Sequence, residues 1–166
     1  LWSAYRTAEA EAAAVERATR VGRETGGTIH IAHTSTPEGI DAAVSGGATC
    51  EVCPHHLYLS RNDLYELGTY GRINPPLRSE KRRKEVFERV ADGTVDIVAT
   101  DHAPHTRDEK EAGLWDAPSG VPGVETMVPL LLESARQGYL SYWRIRDLVA
   151  RNPAAIFDLD SKGRIE

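Results

Sequence analysis

The amino-acid sequence predicts an α/β protein in which helices pack around a parallel β-sheet. Three short apolar runs, at 28–33, 48–53 and 95–100, are separated by segments with helical periodicity. Strands that alternate with helices favour a parallel sheet, either closed into a barrel or doubly wound. At 166 residues the chain has room for one domain, or for one domain and part of another.

The first predicted element is a helix over residues 3–25. Small and apolar side chains recur there at three- and four-residue steps, namely Ala8, Ala12, Val15, Ala18 and Val21. Gly26 and Gly27 supply a helix stop, and the first predicted strand follows at once.

Residues 37–44 are predicted to form a short helix, which ends at Gly46 and Gly47 and leads into the second strand. A polar segment then leads to residues 71–74, just before two prolines, and this segment and the later run 95–100 are interpreted as two more β units. The charged stretch 79–91 is predicted to be a helix whose inner face carries Val86, Phe87 and Val90. The third apolar run follows this helix.

The stretch 104–123 is rich in proline, glycine and charge, which predicts a long loop. A loop of this length in a compact domain is usually functional, so we interpret it as an active-site lid. Helices are expected at 125–136 and 142–150. A further short helix should begin at Asn152 as a cap, with Pro153 at its first position.

Composition excludes several classes of function. Twenty Lys and Arg against 25 Asp and Glu give a net charge of -5, so no overall basic field exists to attract nucleic acid or anionic lipid. No apolar run approaches the roughly 18 residues that a membrane span requires. No signal peptide is visible at the start of the sequence.

Only two cysteines are present, Cys50 and Cys53, too few for a disulfide-stapled secreted domain. A reducing, cytoplasmic setting is therefore predicted. Their C-x-x-C spacing is also found in redox pairs and zinc knuckles, but residues 48–53 have the pattern of a strand. Positions three apart on a strand point to opposite faces, which makes these interpretations the weaker ones.

Residues suited to metal or proton chemistry follow each predicted strand. His33 comes after the first strand, His55 and His56 after the second, and Asp101 after the last. In parallel β/α folds the carboxyl ends of the strands form one face, where functional groups collect. Each residue alone has an ordinary explanation as a surface or turn-capping group, but the joint pattern favours a site.

The alternation of side chains along a strand distinguishes some of these candidate residues from their neighbours. Of His30 and His33 only one can face the interior, and His33, nearer the carboxyl end, is the better candidate. His30 is therefore interpreted as structural. The same alternation separates His55 from His56, but Pro54 blurs the register, so geometry alone does not choose between them.

Asp101 stands where an apolar strand enters a loop that holds two histidines. Carboxylate and imidazole are the usual ligands of Zn²⁺ in hydrolytic sites, where the pKa of the bound water falls to about 7. Asp101 can therefore ligate a metal, serve as a general base, or do both in turn. The competing interpretation is a helix or turn cap.

Four motifs stand in order along the chain: IAHTST at 31–36, CPHHL at 53–57, INPPLR at 73–78 and TDHAPH at 100–105. Residues 120–126 and 152–154 extend the pattern over nearly the whole sequence. Together the motifs resemble the C-terminal half of the dihydroorotase family of cyclic amidohydrolases. Each motif alone is weak, whereas their joint order is specific.

The resemblance implies a metal-dependent TIM (β/α)₈ barrel. Such a barrel needs roughly 250 residues, so this chain would hold its second half, strands five to eight. We expect a partial barrel domain over 1–157 and the start of a truncated C-terminal β segment over 158–166. The family's remaining ligands, a His-x-His pair and a bridging carboxylate or carboxylated lysine, would lie upstream of Leu1.

The resemblance also implies an activity, that of a zinc-dependent hydrolase of cyclic amides. Members interconvert dihydroorotate and N-carbamoyl-L-aspartate in pyrimidine synthesis, with two Zn²⁺ ions expected. Carried over by position, His33 and His55 resemble ligands of one zinc. Asp101 resembles the ligand of the other zinc, which also shuttles the catalytic proton.

Substrate contacts are implied at four positions. Asn74 and His105 resemble the groups that hold the substrate's ring and carboxylate, and the backbone at Ser119 and Gly120 resembles the loop that contacts the ring. The family often has an aromatic residue where Ser119 stands. His56 is not matched to a ligand.

Two other functions stay open. An allantoinase or hydantoinase-type enzyme shares the ligand pattern of His33, His55 and Asp101 but binds a different ring, and Asn74 favours dihydroorotase. A non-catalytic scaffold protein would keep the barrel and lose the metal, which the retained ligand-type residues argue against. The expected partners are a small-molecule substrate and, in a homo-oligomer, further copies of the chain.

Overall fold

A computed structural model describes residues 2–165 of the chain. Its sheet has three parallel strands in the order β1, β2, β3, which is also their order along the sequence. The strands are β1 (His30–Ile31), β2 (Thr49–Val52) and β3 (Ile97–Val98). The predicted α/β architecture with parallel strands is confirmed.

Helices make up most of the regular structure between residues 2 and 165. They are α1 (Trp2–Tyr5), α2 (Ala8–Thr25), α3 (Pro37–Ser45), α4 (Pro54–Tyr58), α5 (Leu64–Leu67), α6 (Glu80–Asp92), α7 (Arg107–Lys110), α8 (Met127–Arg136), α9 (Tyr142–Arg146) and α10 (Asn152–Ile156). Single turns of 3₁₀-helix lie at Arg61–Asp63 and Gly68–Gly71, and a π-helical turn lies at Asp147–Arg151. These helices are too short or too polar to cross a bilayer.

The first long helix begins where the sequence offers a capping side chain. Thr7 accepts a hydrogen bond from the Ala10 N–H, so α2 starts at Ala8 and not at the predicted residue 3. A separate short helix, α1, precedes it. Gly26 ends α2 in the left-handed conformation, with φ 72°, as the glycine pair predicts.

The core lies where the sheet meets α3, α6, α8 and the turns around α9. Its fully buried members include Ile40, Val52, Val86, Leu131 and Leu148. Burial of these apolar side chains fixes the three strands side by side. Their carboxyl ends therefore share one edge of the sheet, which is where the candidate residues emerge.

Residues 71–74 do not form the additional strand that the barrel resemblance implied, and the part of the chain from 2 to 165 contains no fourth strand. The main-chain carbonyls of this segment accept hydrogen bonds from outside the sheet. The Arg72 carbonyl accepts the Gly120 N–H at 3.0 Å, and the Ile73 carbonyl accepts the Trp2 indole N–H at 3.1 Å. Two prolines follow, which supply no N–H to a ladder.

The helix α10 lacks the predicted asparagine cap. The π-helical turn continues directly into α10, so α10 has no free N-terminus for Asn152 to cap. The Asn152 side-chain amide instead donates to the Asp96 carbonyl at 2.8 Å. Residues 158–165 form turns without a strand, and Leu1 and Glu166 lie outside the described residues. The division at residues 157 and 158 thus stays a prediction.

Candidate active site

His33 and Asp101 follow β1 and β3, and both adopt left-handed backbone conformations. The angle φ is 41° at His33 and 45° at Asp101, values that non-glycine residues rarely adopt. Strained backbone of this kind collects at functional sites. His33 is exposed and Asp101 is half-buried. Two of the three predicted metal ligands therefore occupy unusual backbone positions at the same edge of the sheet.

The turn after His33 is held by a half-buried carboxylate on α2, that of Glu11. Glu11 accepts hydrogen bonds from the main-chain N–H groups of Ser35 and Thr36 at 3.0 and 2.9 Å, and from the Thr36 hydroxyl at 2.7 Å. The Ser35 hydroxyl also donates to Glu11. The Arg78 guanidinium lies 3.0 Å from the Glu11 carboxylate and donates to the Ser35 hydroxyl at 2.9 Å. This ion pair fixes the turn that presents His33.

His55 and His56 lie side by side at the start of α4. Pro54 occupies the first helical position directly after β2, and the two imidazole centroids are 4.3 Å apart. His56 Nε2 lies 3.0 Å from the Pro75 carbonyl, to which it donates. His55 Nε2 and His56 Nδ1 are buried without a hydrogen-bond partner. Each ring thus keeps a buried nitrogen available to a ligand.

The charges around the two imidazoles differ. Burial lowers the pKa of His55 to about 3 and the pKa of His56 to about 4, so both rings are neutral at pH 7. The Asp101 carboxylate favours positive charge at His55, whereas the Arg78 guanidinium disfavours it at His56. A cation therefore finds a better electrostatic environment beside His55.

Cys53 completes a close group of potential donors. One donor atom from each of Cys53, His55 and His56 lies within 4.8 Å of the others, and His33 and Asp101 stand outside this group, which is the one such group found within residues 2–165. Burial, reinforced by the Asp101 charge, raises the pKa of the Cys53 thiol far above its usual range. In the metal-free chain the Cys53 thiol is thus protonated and fully buried.

The donor set fits a divalent metal. His33, His55 and Asp101 offer two imidazoles and a carboxylate, the chemistry that zinc prefers in hydrolytic sites. The His33 and Asp101 charges both act on His55, whose buried Nε2 has no partner within the described chain. An orphaned buried nitrogen of this kind is costly unless a ligand satisfies it.

The four predicted substrate residues come together. The Asn74 amide donates to the Ser119 hydroxyl at 3.0 Å, and His105 Nε2 lies 3.3 Å from the Ser119 carbonyl. A Cβ placed on Gly120 would lie 3.3 Å from His105 Nε2. The Asn74 Oδ1 accepts a hydrogen bond from the Trp2 indole N–H at 3.1 Å. Because the bond to Ser119 uses one of the two amide hydrogens of Asn74, the other stays available to a ligand.

A cavity of about 510 Å³ is lined by some members of both sets of residues. His55 from the predicted metal site and His105 and Gly120 from the predicted substrate site line it together. The remaining wall is mostly apolar, with Tyr58 and Leu130 among its members. Convergent polar groups in an apolar cavity are typical of a ligand site.

Two buried or half-buried cations hold the long loop beside this cavity. Arg72 Nη1 donates to the carbonyls of Leu114 and Ala117, and its guanidinium lies 4.5 Å from the Trp2 ring centre. Lys110 Nζ donates to three further carbonyls. The predicted lid is thus an ordered loop, and it contains the short helix α7.

Sequence reasoning missed the residues that act from a distance on the candidate groups. Glu11, Arg72, Arg78 and Lys110 each bind main-chain or side-chain groups of a loop that carries a predicted site residue. Arg78 lies inside the INPPLR motif, so the motif itself could have indicated a role for Arg78 at the site. Glu11 lies 67 residues from Arg78, and nothing in the local sequence pairs the two.

Solved structures of cyclic amidohydrolases share this fold. The chain matches the L-hydantoinase of Arthrobacter aurescens with a TM-score of 0.88 and 29% identity, over 93% of this chain and 37% of that one. It matches the D-hydantoinase of Thermus sp. with a TM-score of 0.90 and 25% identity, over 96% and 38% of the two chains. The chain thus has the fold of part of an amidohydrolase TIM barrel, as predicted.

Curated sequences narrow the relationship. The dihydroorotase of Halobacterium salinarum is 71% identical over 164 residues, which cover 99% of this chain and 39% of that protein. The dihydroorotase of Methanosarcina mazei is 41% identical, over 94% and 37% of the two chains. No protein-family profile matches the chain.

The fold and the sequence relatives therefore place the chain in the class of the cyclic amidohydrolases, a metal-dependent group. Within that class the sequence relatives are dihydroorotases, and the resemblance that the motifs predicted is confirmed. The chain spans about two fifths of the length of the dihydroorotases that it matches.

Proposed function

We propose that this chain forms part of the active site of a zinc-dependent dihydroorotase, which interconverts dihydroorotate and N-carbamoyl-L-aspartate in pyrimidine synthesis. The observation that carries the proposal is the shared cavity, because His55 lines it together with His105 and Gly120. Metal chemistry and substrate binding would then meet in one space. The dihydroorotase relatives support the choice of substrate.

His33, His55 and Asp101 would hold zinc, in a site with two ions in all. When bound, the metal supplies Lewis-acid activation of the substrate carbonyl and of water. The buried nitrogen of His55 supports this role, and so does the Glu11–Arg78 network that fixes the turn after His33. His30 is excluded, because Thr49 and Glu51 occupy its two ring nitrogens at 2.8 and 3.2 Å.

Asp101 would move the catalytic proton. Ring opening needs a base that takes a proton from water and an acid that protonates the departing ring nitrogen. One carboxylate oxygen of Asp101 can do both in turn. Its place at the carboxyl end of β3, within the electrostatic reach of His55, supports this assignment.

Asn74, His105, Ser119 and Gly120 would bind the substrate. The Asn74 amide keeps one free hydrogen and His105 keeps Nδ1, which has only a distant carboxylate, Glu109, at 3.9 Å. The Asn74 amide can donate to a carboxylate or carbonyl oxygen, and while His105 Nε2 donates to the Ser119 carbonyl, its Nδ1 can accept a substrate N–H. The main chain at Ser119 and Gly120 would lie against the ring, where the absence of a glycine side chain leaves room.

We further propose that the enzyme is cytoplasmic, that it has no nucleic-acid partner and that its copies can associate. It also keeps the division into a barrel part at 1–157 and a β segment at 158–166. Two buried free thiols and the acidic charge balance support the setting. A hydantoinase-type activity is the second candidate, because the apolar wall of the cavity and the hydantoinase structures suit a ring with an apolar substituent.

The test is a comparison of Asp101→Asn with Asp160→Asn in the intact, zinc-loaded protein. Asparagine keeps the size and one oxygen of Asp101 but cannot carry the proton. We expect dihydroorotate turnover to fall about 10² to 10⁴-fold beyond any metal loss. Asp160 is exposed in a turn, so its variant should match the wild type.

Metal analysis and a second substrate complete the experiment. A wild type that opens hydantoins and not dihydroorotate would replace the proposal with the second candidate. A wild type inactive on both would favour a non-catalytic scaffold. An Asp101→Asn variant with normal zinc and a rate within a few fold of the wild type would remove the proton role from Asp101.

A further inference from the structure

Lys110 is a buried cation at the end of α7, only 4% exposed. Its ammonium donates to the carbonyls of Arg72 at 3.1 Å, Pro118 at 3.0 Å and Gly120 at 3.0 Å. An ammonium has three hydrogens, and each finds one acceptor here. The side chain is therefore fully used by the main chain of two segments.

The partners of Lys110 are all uncharged. Burial and the nearby Arg72 charge lower the pKa of the Lys110 ammonium from its usual value. A buried lysine is rare unless its charge is compensated, and an ion pair is the common solution. Here three main-chain carbonyl dipoles stabilise the ammonium in place of an anionic side chain. The positions of these carbonyls therefore depend on the Lys110 charge.

Two of these carbonyls belong to the predicted substrate loop. Pro118 and Gly120 flank Ser119, whose hydroxyl accepts from Asn74 and whose carbonyl lies beside His105. Gly120 also donates its N–H to the Arg72 carbonyl, which Lys110 binds as well. Lys110 therefore ties together the loop and the segment that carries Asn74.

We propose that Lys110 is a positioning residue for substrate binding, whose ammonium holds the Ser119–Gly120 main chain in place against Asn74 and His105. The proposal rests on the proposed function, because it takes these four residues as the substrate contacts. Lys110 lines the same cavity as His55, but its three hydrogen bonds go to main-chain carbonyls and none of them to His33, His55 or Asp101. Its loss should therefore weaken substrate binding more than it slows the chemical step.

The first experiment compares Lys110→Met with Lys81→Met in the intact, zinc-loaded protein. Methionine keeps the length of the lysine side chain and removes its charge and donors. We expect the KM for dihydroorotate to rise roughly tenfold or more, as for one lost buried polar contact, while kcat and bound zinc stay within a few fold. Lys81 is 85% exposed on α6, and its variant should match the wild type.

A second variant separates positioning from folding. Lys110→Ala leaves a space for a small cation, and we expect added ethylammonium to lower the raised KM, whereas ethanol of similar size should not. A fall in kcat or in zinc with an unchanged KM would overturn the proposal. So would equal effects of ethylammonium and ethanol.

Amide hydrogen exchange tests the positioning independently of turnover. Lys110→Met should speed exchange at residues 114–121 and leave residues 33–36 as protected as in the wild type. Unchanged exchange at the Gly120 N–H would overturn the proposal even in an active enzyme. If the wild type does not act on dihydroorotate, the proposed function fails, while faster exchange in the variant would still show that Lys110 holds the loop.

Discussion

Two loops at the carboxyl edge of the sheet carry candidate residues, and opposite charges hold them. The turn at 33–36 directs N–H and O–H donors inward, where they meet the Glu11 carboxylate. The loop at 114–120 directs carbonyls inward, where they meet Arg72 and Lys110. Each loop thus surrounds a charge that matches the polarity of its own main chain.

The difference shows how an irregular loop becomes a rigid support. Buried main-chain groups must find partners, and a loop without a ladder takes them from side chains. One charged group satisfies several of them at once, and charge-assisted hydrogen bonds are stronger than neutral ones. The turn proposed to serve the metal is therefore held by an anion and the loop proposed to serve the substrate by cations, which makes the two loops separable by substitution.

Arg78→Met should have the largest effect on stability. It leaves the Glu11 carboxylate, only 13% exposed, without its cation. Breaking a buried ion pair in this way costs about 3 to 5 kcal/mol, measurable as a lower urea midpoint. Arg136→Met is the control, because Arg136 lies in an exposed pair with Glu133 and its loss should leave the midpoint unchanged.

The double variant sharpens this prediction. Glu11→Met combined with Arg78→Met removes both charges, so we expect it to be more stable than Arg78→Met alone. Additive losses would mean that the two residues do not act as a pair.

Acid should destabilise the folded chain through the two buried histidines, His55 and His56. The pKa of His55 is lowered to about 3 and that of His56 to about 4, against a usual value near 6.5. Below pH 6.5 the unfolded chain takes up protons that the folded chain refuses, so the stability of the metal-free protein is full above that pH and falls towards pH 3. A urea midpoint that stays constant from pH 7 to 4 would contradict this.

Gly120→Ala tests how closely the cation-held loop is packed. A Cβ on Gly120 would lie 2.5 Å from Ala103 Cβ and 2.7 Å from the Ala103 carbonyl, at φ 139°. Gly26 has φ 72° and no atom within 4 Å of its added Cβ, so Gly26→Ala should cost only the left-handed strain, about 1 to 2 kcal/mol. Unfolding in urea should show a larger loss for Gly120→Ala, and equal losses would mean that the loop yields easily.

Trp115→Ala should have the smallest effect. Trp115 contacts Trp2 and Tyr5 at ring distances of 5.7 and 5.6 Å, but 57% of it is exposed. Aromatic pairs contribute about 0.5 to 1.5 kcal/mol, and this exposure places the loss at the low end. Hydrogen exchange should quicken at 114–117 alone. Trp143→Ala, another exposed tryptophan, should leave that segment unchanged.

Sequence reasoning located the three strands and proposed the candidate site residues, but it missed the groups that hold them. The apolar runs located all three strands, although β1 is only His30–Ile31, since it pairs with β2 on one side alone. The motifs selected Asn74, His105, Ser119 and Gly120, which lie close together in the structure, while their role in substrate binding stays a prediction. The pairing of Glu11 with Arg78, and of Lys110 with carbonyls, depends on folding over long separations and has no local pattern.

Bound metal in Arg78→Met and Lys110→Met tests the central claim most directly. The claim is that the anion-held turn serves the metal ligand His33 and the cation-held loop serves the substrate. Both variants, purified in excess zinc and dialysed together, should differ in metal content by elemental analysis. We predict that Arg78→Met retains less zinc than the wild type and that Lys110→Met retains as much. Equal zinc in both variants, or greater loss in Lys110→Met, would contradict the division between the two loops.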